Sequence, residues 1–316
     1  MSISNVVASY NELSKLDLRV LRVIEVLHRN YEYVPVRRIV KYMNLSEEVI
    51  NKSISKMNKL KLLVRRGPDN VRLTFPAYDI LSIHTMVKRG VIDAIAPTPL
   101  GVGKESDVYA AESSSGDKYA LKFHRIGRVS FRNTRKYRVW IGERRHITWL
   151  YEAKISAHME YMALTEAYRA KVPVPKPRAI TRHLVAMEYI NGIELFKIRL
   201  SNPESVLEQI ISAIEDLLRI NVIHGDLNEY NILVNPSSEK ITIIDWPQWM
   251  YANVKGSKTI LMRDLNIILR YFKSNYGLNI SIDAVMGRLA PLIPSSELPP
   301  EKVYSRLIKR ITSLVS

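Results

Sequence analysis

The sequence contains no cysteine, which excludes disulfides, thiolate metal sites and a cysteine nucleophile. It also lacks any long apolar run free of charge, and no basic segment leads into an apolar one at Met1. A membrane span or secretory leader is therefore not expected, and a reducing, cytoplasmic setting is. Internal repeats and low-complexity segments are missing as well. Acids are in short supply: 31 Asp and Glu stand against 47 Lys and Arg, giving a formal net charge of +16. A field of that sign draws phosphate-rich partners, nucleic acid first among them. What is present is 316 residues, 47% of them hydrophobic, enough for two domains with their own cores.

The first 80 or so residues read as short helices followed by a hairpin. Leu18, Leu21, Ile24 and Leu27 form one apolar stripe, and Val36, Ile39, Val40 and Met43 begin a second. Ser46 caps a third helix with Glu47 and Glu48 in its first turn, where acids suit the helix dipole. The core stripe of that helix is Val49, Ile50, Ile54 and Met57, with Lys52, Lys56 and Lys59 on the outer side. Residues 62–64 and 71–73 read as strands joined by the turn-forming Arg65-Arg66-Gly67-Pro68-Asp69-Asn70. Three helices and a basic-tipped hairpin make a winged helix-turn-helix over residues 1–84, whose third helix would enter a groove. Such a domain serves equally to hold a protein; the lysines favour nucleic acid. Residues 80–96 read as helix, ending at Ala96-Pro97-Thr98-Pro99, and strands then give way to helices.

Four stretches carry chemistry. Gly101-Val102-Gly103-Lys104-Glu105-Ser106-Asp107-Val108 is a glycine-spaced strand-turn-strand, able to bring backbone amides against phosphate oxygens. Alone it is no more than a hairpin, and it is not a Walker loop. The Ser106 hydroxyl, where a third glycine would stand, can bond a phosphate. Lys122 ends the apolar strand one hairpin later, the place of a lysine that holds α- and β-phosphates. Its carboxylate partner would come from the helix 152–170, as Glu160, with Glu166 in reserve. Residues 184–192 form an apolar strand running into a turn, which would read adenine at Met187, Glu188 and Ile190. The strongest signal is His224-Gly225-Asp226-Leu227-Asn228-Glu229-Tyr230-Asn231, an apolar strand, then Ile244-Asp245-Trp246-Pro247. In that order Asp226 accepts the hydroxyl proton or orients the nucleophile, and Asn231 and Asp245 bind Mg²⁺, or Mn²⁺ in its place. His224 reads as a packed support of the loop.

These residues resemble the RIO family of atypical protein kinases, the type with an N-terminal winged helix. The carriers are residues 101–109, Lys122-Phe123-His124-Arg125-Ile126-Gly127, Val172-Pro173-Val174-Pro175-Lys176-Pro177, the loop 224–231 and Ile244-Asp245-Trp246-Pro247-Gln248. The resemblance implies an α+β chain: a winged helix-turn-helix joined to a truncated bilobal kinase-like domain over 85–316. Its N-lobe would run over 97–187, a basic insertion over 126–147, and its C-lobe over 191–316. It further implies ATP and Mg²⁺ binding, serine autophosphorylation or ATPase activity, and a part in maturing the small ribosomal subunit.

The departures from ordinary protein kinases have physical content. Gly225 stands where an arginine would pair with a phosphorylated activation loop, and Asn228 where a lysine would steady the transferred phosphate. No Ala-Pro-Glu follows Asp245, and only about seventy residues remain beyond it. The insertion carries Arg125, Arg128, Arg132, Arg135, Lys136, Arg138, Arg144 and Arg145 among Phe131, Tyr137, Trp140 and Trp149, a pattern that suits unpaired RNA bases. Ribosomal RNA or a pre-small-subunit particle is the expected partner. Two other readings stand beside this one: an aminoglycoside- or choline-type phosphotransferase, which shares the His-Gly-Asp loop, and a non-catalytic assembly factor switched by nucleotide.

Overall fold

The computed structural model describes residues 1–125 and 149–315, so the expected insertion, with Arg132, Arg135, Lys136 and Arg138, lies outside the described residues. The chain divides into two compact units, Met1–Lys154 with Ala179–Val185, and Ile155–Arg178 with Ala186–Ser316.

The first unit opens on helix α1 (Ile3–Glu12), which sequence periodicity does not announce because only Ile3 and Val6 supply an apolar stripe. Helix α2 (Lys15–Leu27) follows a capping box in which Ser14 and Asp17 satisfy each other's amides. Strand β1 (Val34–Pro35) leads into α3 (Val36–Met43), which ends on a left-handed Asn44, and Ser46 caps α4 (Glu47–Lys59) as expected. Strands β2 (Leu63–Arg65) and β3 (Asn70–Leu73) close the wing, antiparallel in the order β1-β3-β2. Gly67 takes the positive φ that their turn requires. The core is Val20, Leu21, Ile24, Ile39, Ile50, Ile54, Met57 and Leu62, all fully buried, each contributing roughly 1.5–3 kcal/mol relative to exposure. This is a winged helix-turn-helix.

Two details differ from expectation. Val49 is exposed, and Ser53 takes its place on the buried face of α4. Ser53 and Lys56 are both committed to Asp17, through Ser53 Oγ at 2.5 Å and Lys56 Nζ at 2.9 Å. Burial alone would raise the Asp17 carboxyl, but those bonds and two from Ser14 hold it near 2. Lys56 is thus half-spent inside the domain, while Lys52 and Lys59 are exposed.

Helix α5 (Phe75–Lys88), capped by Thr74, runs across residue 84 but stops short of 96. The prolines at 97 and 99 do not end a helix. They lie in β4 (Ala94–Val102), an edge strand whose register breaks on both sides of Pro99, where a missing N–H costs nothing. Strands β5 (Ser106–Glu112) and β6 (Lys118–His124) continue the sheet. Helix α6 (Trp149–Arg169) begins in the first unit and continues in the second. Strands β7 (Pro177–Thr181) and β8 (Leu184–Glu188) complete the sheet in the order β4-β5-β6-β8-β7.

In the second unit β9 (Ile193–Glu194) precedes α7 (Pro203–Arg219), whose Val206, Leu207, Ile210, Ile214 and Leu217 line a buried face at helical spacing. Strands β10 (Val222–Ile223), β11 (Ile232–Val234), β12 (Ile241–Ile243) and β13 (Met250–Tyr251) are short. β11 lies between β12 and β9, and β10 pairs with β13. Helices α8 (Ser257–Tyr276), α9 (Ile282–Leu289) and α10 (Pro300–Val315) finish the chain. Among the described residues no helix is long and apolar enough to cross a membrane.

Candidate active site

In the first unit the glycine stretch is the turn between β4 and β5. Gly103 N–H donates to the Ser106 carbonyl at 2.8 Å, and a Cβ on Gly103 would lie 3.4 Å from that oxygen, so the turn is tight. Gly101, Gly103 and Lys104 are exposed; Glu105, Ser106 and Val108 are half-buried. Lys122 sits opposite Val108 in the antiparallel register and is buried, which places it on the strand next to the one that leaves the turn.

In the second unit, residues 224–231 fill the loop between β10 and β11, and Asp245 follows β12 by two residues. The peptide bonds knit these together: Asn231 N–H donates to the Asn228 carbonyl and Ile244 N–H to the Asn231 carbonyl, at 3.1 and 2.9 Å. The Asn231 side chain donates from Nδ2 to the Asp226 carbonyl at 2.8 Å, which fixes its amide so that Oδ1 is the atom that could ligate a cation. Asn228 braces the same loop, giving Nδ2 to the Asp226 carbonyl and taking the Tyr230 N–H. It is therefore a strut of the backbone, which accounts for an asparagine where other kinases keep a lysine. His224 accepts the Asp226 N–H at Nδ1 and donates from Nε2 to the Ile244 carbonyl at 3.0 Å, packed edge-on against Trp246. It links Asp226 to the segment that leads from β12 to Asp245.

Gly225 is dictated by space. Its φ is +81°, and a Cβ there would lie 2.3 Å from the Gln248 carbonyl oxygen. The arginine of ordinary kinases cannot be accommodated. Asp245 itself holds a left-handed φ of +68°, a conformation that costs a non-glycine residue about 1–3 kcal/mol and marks a position under functional constraint.

Sequence reasoning missed Asp264, which is buried on α8 and accepts the Leu227 N–H at 3.1 Å. Its neighbour Arg263 pairs with it and donates to the Gly225 carbonyl at 2.6 Å. The signal was there: Asp264 falls on the stripe of Leu261, Leu265 and Ile268, and a carboxylate on a core stripe needs a donor. Burial raises the Asp226 carboxyl above the usual range, and the charges of Asp245 and Asp264 push it further. Arg263 and the Asn231 bond pull the other way without cancelling the shift.

Glu160 is buried and accepts the Trp246 N–H at 3.3 Å, beside Asp245, whereas Glu166 is exposed and spent on a surface pair with Arg169. At the end of β8, Met187 is buried. Glu188 donates its N–H to the Lys176 carbonyl at 2.9 Å and accepts the Lys176 N–H on its carboxylate. Ile190 uses its carbonyl for the Gly192 N–H. Its own N–H has no backbone or side-chain partner among the described residues. Arg125, read with the basic stretch in the sequence, is buried between carboxylates.

The donor set fits a hard divalent cation. Asn231 and Asp245 offer oxygen ligands, and the Asp226 carboxyl, raised first by burial, also feels the like charges of Asp245 and Asp264, which a cation would offset. Among the described residues no group of three or more His, Asp or Glu gathers into an all-protein metal cage. Two side chains plus nucleotide phosphates is the arrangement Mg²⁺ prefers.

With the loop assembled, the family comparisons are decisive. The RIO domain model matches residues 107–285 and the Rio2 N-terminal model matches residues 10–89. The chain belongs to the RIO family. Within it, the chain is 36% identical over 267 residues to the Dictyostelium discoideum serine/threonine-protein kinase rio2, covering 84% of this chain and 51% of that protein. It is 35% identical over 251 residues to the RIO-type serine/threonine-protein kinase Rio2 of Methanocaldococcus jannaschii, covering 78% and 92%. The chain thus spans about half the length of the first relative and nearly all of the second. The crystal structure of the Rio2 kinase–ADP/Mg²⁺–phosphoaspartate complex from Chaetomium thermophilum superposes with a TM-score of 0.80 at 27% identity, covering 98% of this chain and 96% of that one.

Proposed function

We propose that this RIO protein is an ATP- and Mg²⁺-dependent enzyme of the atypical serine/threonine kinase class. It labels itself, hydrolyses ATP, and acts in the cytoplasm on the maturing small ribosomal subunit. The observation that carries the reading is the Asp226 loop, braced by Asn228, Asn231, His224 and Asp264 around a carboxylate of raised pKa beside Asp245. In the first unit the glycine-turn amides and Lys122 are the groups suited to phosphates, and in the second the Ile190 N–H is suited to an adenine edge. Asn231 and Asp245 would hold Mg²⁺, whose charge would offset that of bound phosphates.

Asp226 serves a serine acceptor as base, and the phosphoaspartate in the Chaetomium relative supports a second use of this site, in which one of its aspartates, Asp226 or Asp245, is the nucleophile. In that step a carboxylate oxygen of that aspartate bonds to the γ-phosphorus as the bond to the β,γ-bridging oxygen breaks. ADP departs with the electron pair, and water later cleaves the acyl phosphate to restore the carboxylate. A carboxylate of raised pKa is the better base and the better nucleophile for either role.

Incubating the chain with γ-phosphate-labelled ATP and Mg²⁺, with and without small-subunit particles, tests this by following label on protein and phosphate released. Self-labelling with phosphate release is expected; hydroxylamine strips the label if it is an acyl phosphate and leaves it if it is a serine ester. Neither label nor release would overturn the reading. The net charge of +16 weighs against a phosphotransferase for cationic small molecules, which needs an acidic pocket.

The partner in this reading is ribosomal RNA or a pre-ribosomal particle. Supporting it are Lys52 and Lys59 exposed on α4, and Arg37, Arg38, Lys41 and Tyr42 exposed on α3, which sequence inspection passed over. Neutralising Arg132, Arg135, Lys136 and Arg138 together should weaken RNA binding and flatten the log–log salt slope by up to about 3, at roughly 0.7 per single-strand phosphate contact. An unchanged slope would remove that segment from the interface.

A further inference from the structure

Arg125 directly follows β6, three residues after Lys122, and is one of the few charged side chains buried in the first unit. Its backbone N–H donates to the carbonyl of Glu105, inside the glycine turn, at 2.6 Å. Its Nε donates to Asp107 at 3.1 Å, at the start of β5 and next to Ser106, whose carbonyl closes the turn. Its two terminal nitrogens grip both oxygens of Asp79, at 2.5 and 2.9 Å. Asp79 lies on α5, in the winged-helix region, 46 residues away in sequence. His183, on the turn between β7 and β8, completes the cluster: its Nε2 reaches Asp79 at 2.7 Å, and its ring stacks on Tyr78. Asp79, Asp107, Arg125 and His183 are all at least nine-tenths buried.

Buried ions are a costly way to join two surfaces. Apolar side chains of the same volume hold them as well, and removing one partner is far more damaging than replacing both. What the planar guanidinium provides is geometry, because its fork fixes distance and angle between the groups it holds. Here one fork sets the start of β5, and with it the glycine turn, against α5. Burial depresses the His183 imidazole to about 4, so it stands neutral and donates its Nε2–H to Asp79 while Nδ1 faces the Ser82 hydroxyl at 3.4 Å. Burial pushes the Asp79 carboxyl up, but Arg125 and His183 together bring it below its ordinary value, so it remains charged.

We propose that Arg125 is a positioning residue for the phosphate-binding turn, anchored by Asp79 of the winged-helix region, so that this region sets the affinity for nucleotide phosphates. The proposal rests on the reading of the chain as an ATP enzyme. The adenine contact, at the end of β8, is made by other residues, which separates a phosphate effect from general damage. A second tie supplies the control. Arg182 pairs with Glu25 of α2 at 2.8 and 2.9 Å and donates to the Leu81 carbonyl, without touching the glycine turn.

The test uses the full chain and measures binding of Mg²⁺ with a non-hydrolysable ATP analogue, binding of adenosine, and the thermal midpoint. Arg125→Gln and Asp79→Asn should each weaken the ATP analogue on the order of tenfold while leaving adenosine unchanged, as misplacement of a preorganised site does. Glu25→Gln should lower the thermal midpoint and leave both ligands unchanged. Should Arg125→Gln not fold, Arg125→Lys, which keeps the charge and loses the fork, carries the same selective loss in smaller measure. ATP-analogue binding equal to the parent's, or adenosine weakened as much as the ATP analogue, would overturn the proposal. A parent chain that binds no ATP analogue would defeat the functional reading, and this inference with it.

Discussion

Replacing Asp226 by asparagine should abolish most turnover, by about 10²–10⁴-fold, while nucleotide binding and the fold persist. Three observations support the separation. The carboxylate is not what holds the loop: Asn228 and Asn231 donate to the Asp226 backbone carbonyl, and its N–H goes to His224, so an isosteric amide leaves those bonds in place. Nor is the charged carboxylate stabilising. Burial, then Asp245, then Asp264 raise its pKa above the unfolded value. A raised acid contributes its stability below the unfolded pKa and loses it as pH rises through the folded one, so at neutral pH the ionised group opposes folding. The thermal midpoint of Asp226→Asn should therefore equal or exceed the parent's, in the manner of a site that trades stability for chemistry. The same shift predicts that turnover in the parent falls off on the acid side at a higher pH than an ordinary aspartate would give. Steady-state phosphate release against pH, with a melting curve for each protein, checks both statements. A variant that turns over as fast as its parent would remove Asp226 from the chemistry.

How much of this was legible in the sequence depends on how local the cause was. The helix cap at Ser46, the wing turn at Gly67 and the order of strands and helices follow from neighbouring residues and are legible locally. The loop 224–231 and Asp245 were legible because metal and phosphate chemistry demands those residue types at those spacings. What escaped was tertiary. Helix α1 has too short an apolar stripe to announce itself. Pro97 and Pro99 looked like a terminator, because only the sheet order shows that their strand is an edge. Lys56 and Arg125 looked like surface charge, since nothing local to either reveals Asp17 or Asp79 on another element. Asp264 was hidden the same way, yet a carboxylate on the apolar stripe of α8 was readable as a group in need of a buried donor. Gly225 shows the converse. Its departure from the kinase pattern was visible in sequence, and the reason, a Gln248 carbonyl where a Cβ would sit, was not.

Asp245 carries the second large effect. It stands two residues beyond β12 with a left-handed φ, held beside Glu160 by the Trp246 N–H and beside Asn231 by the Ile244 N–H. Asparagine tolerates that backbone well, so Asp245→Asn keeps the conformation and removes the charge, whereas alanine removes both the ligand and the backbone preference. Losing the one anionic ligand should weaken Mg²⁺-dependent nucleotide binding by at least about a hundredfold, since removing mere outer-shell partners of a metal costs 10–100-fold. Turnover should fall with it. Asp226 loses the stronger of its two like-charge neighbours in either variant, so its carboxyl should come down part of the way, with burial still holding it above the ordinary value.

The most direct measurement is a calorimetric titration of ADP into the parent and into Asp245→Asn, each with Mg²⁺ and with the metal chelated. In the parent, Mg²⁺ should tighten ADP binding strongly; in Asp245→Asn, the two titrations should coincide at the weak, metal-free affinity. Binding that is equally tight with and without Mg²⁺ in the parent, or equally Mg²⁺-dependent in the variant, would contradict the assignment of Asp226, Asn231 and Asp245 as one metal–nucleotide site.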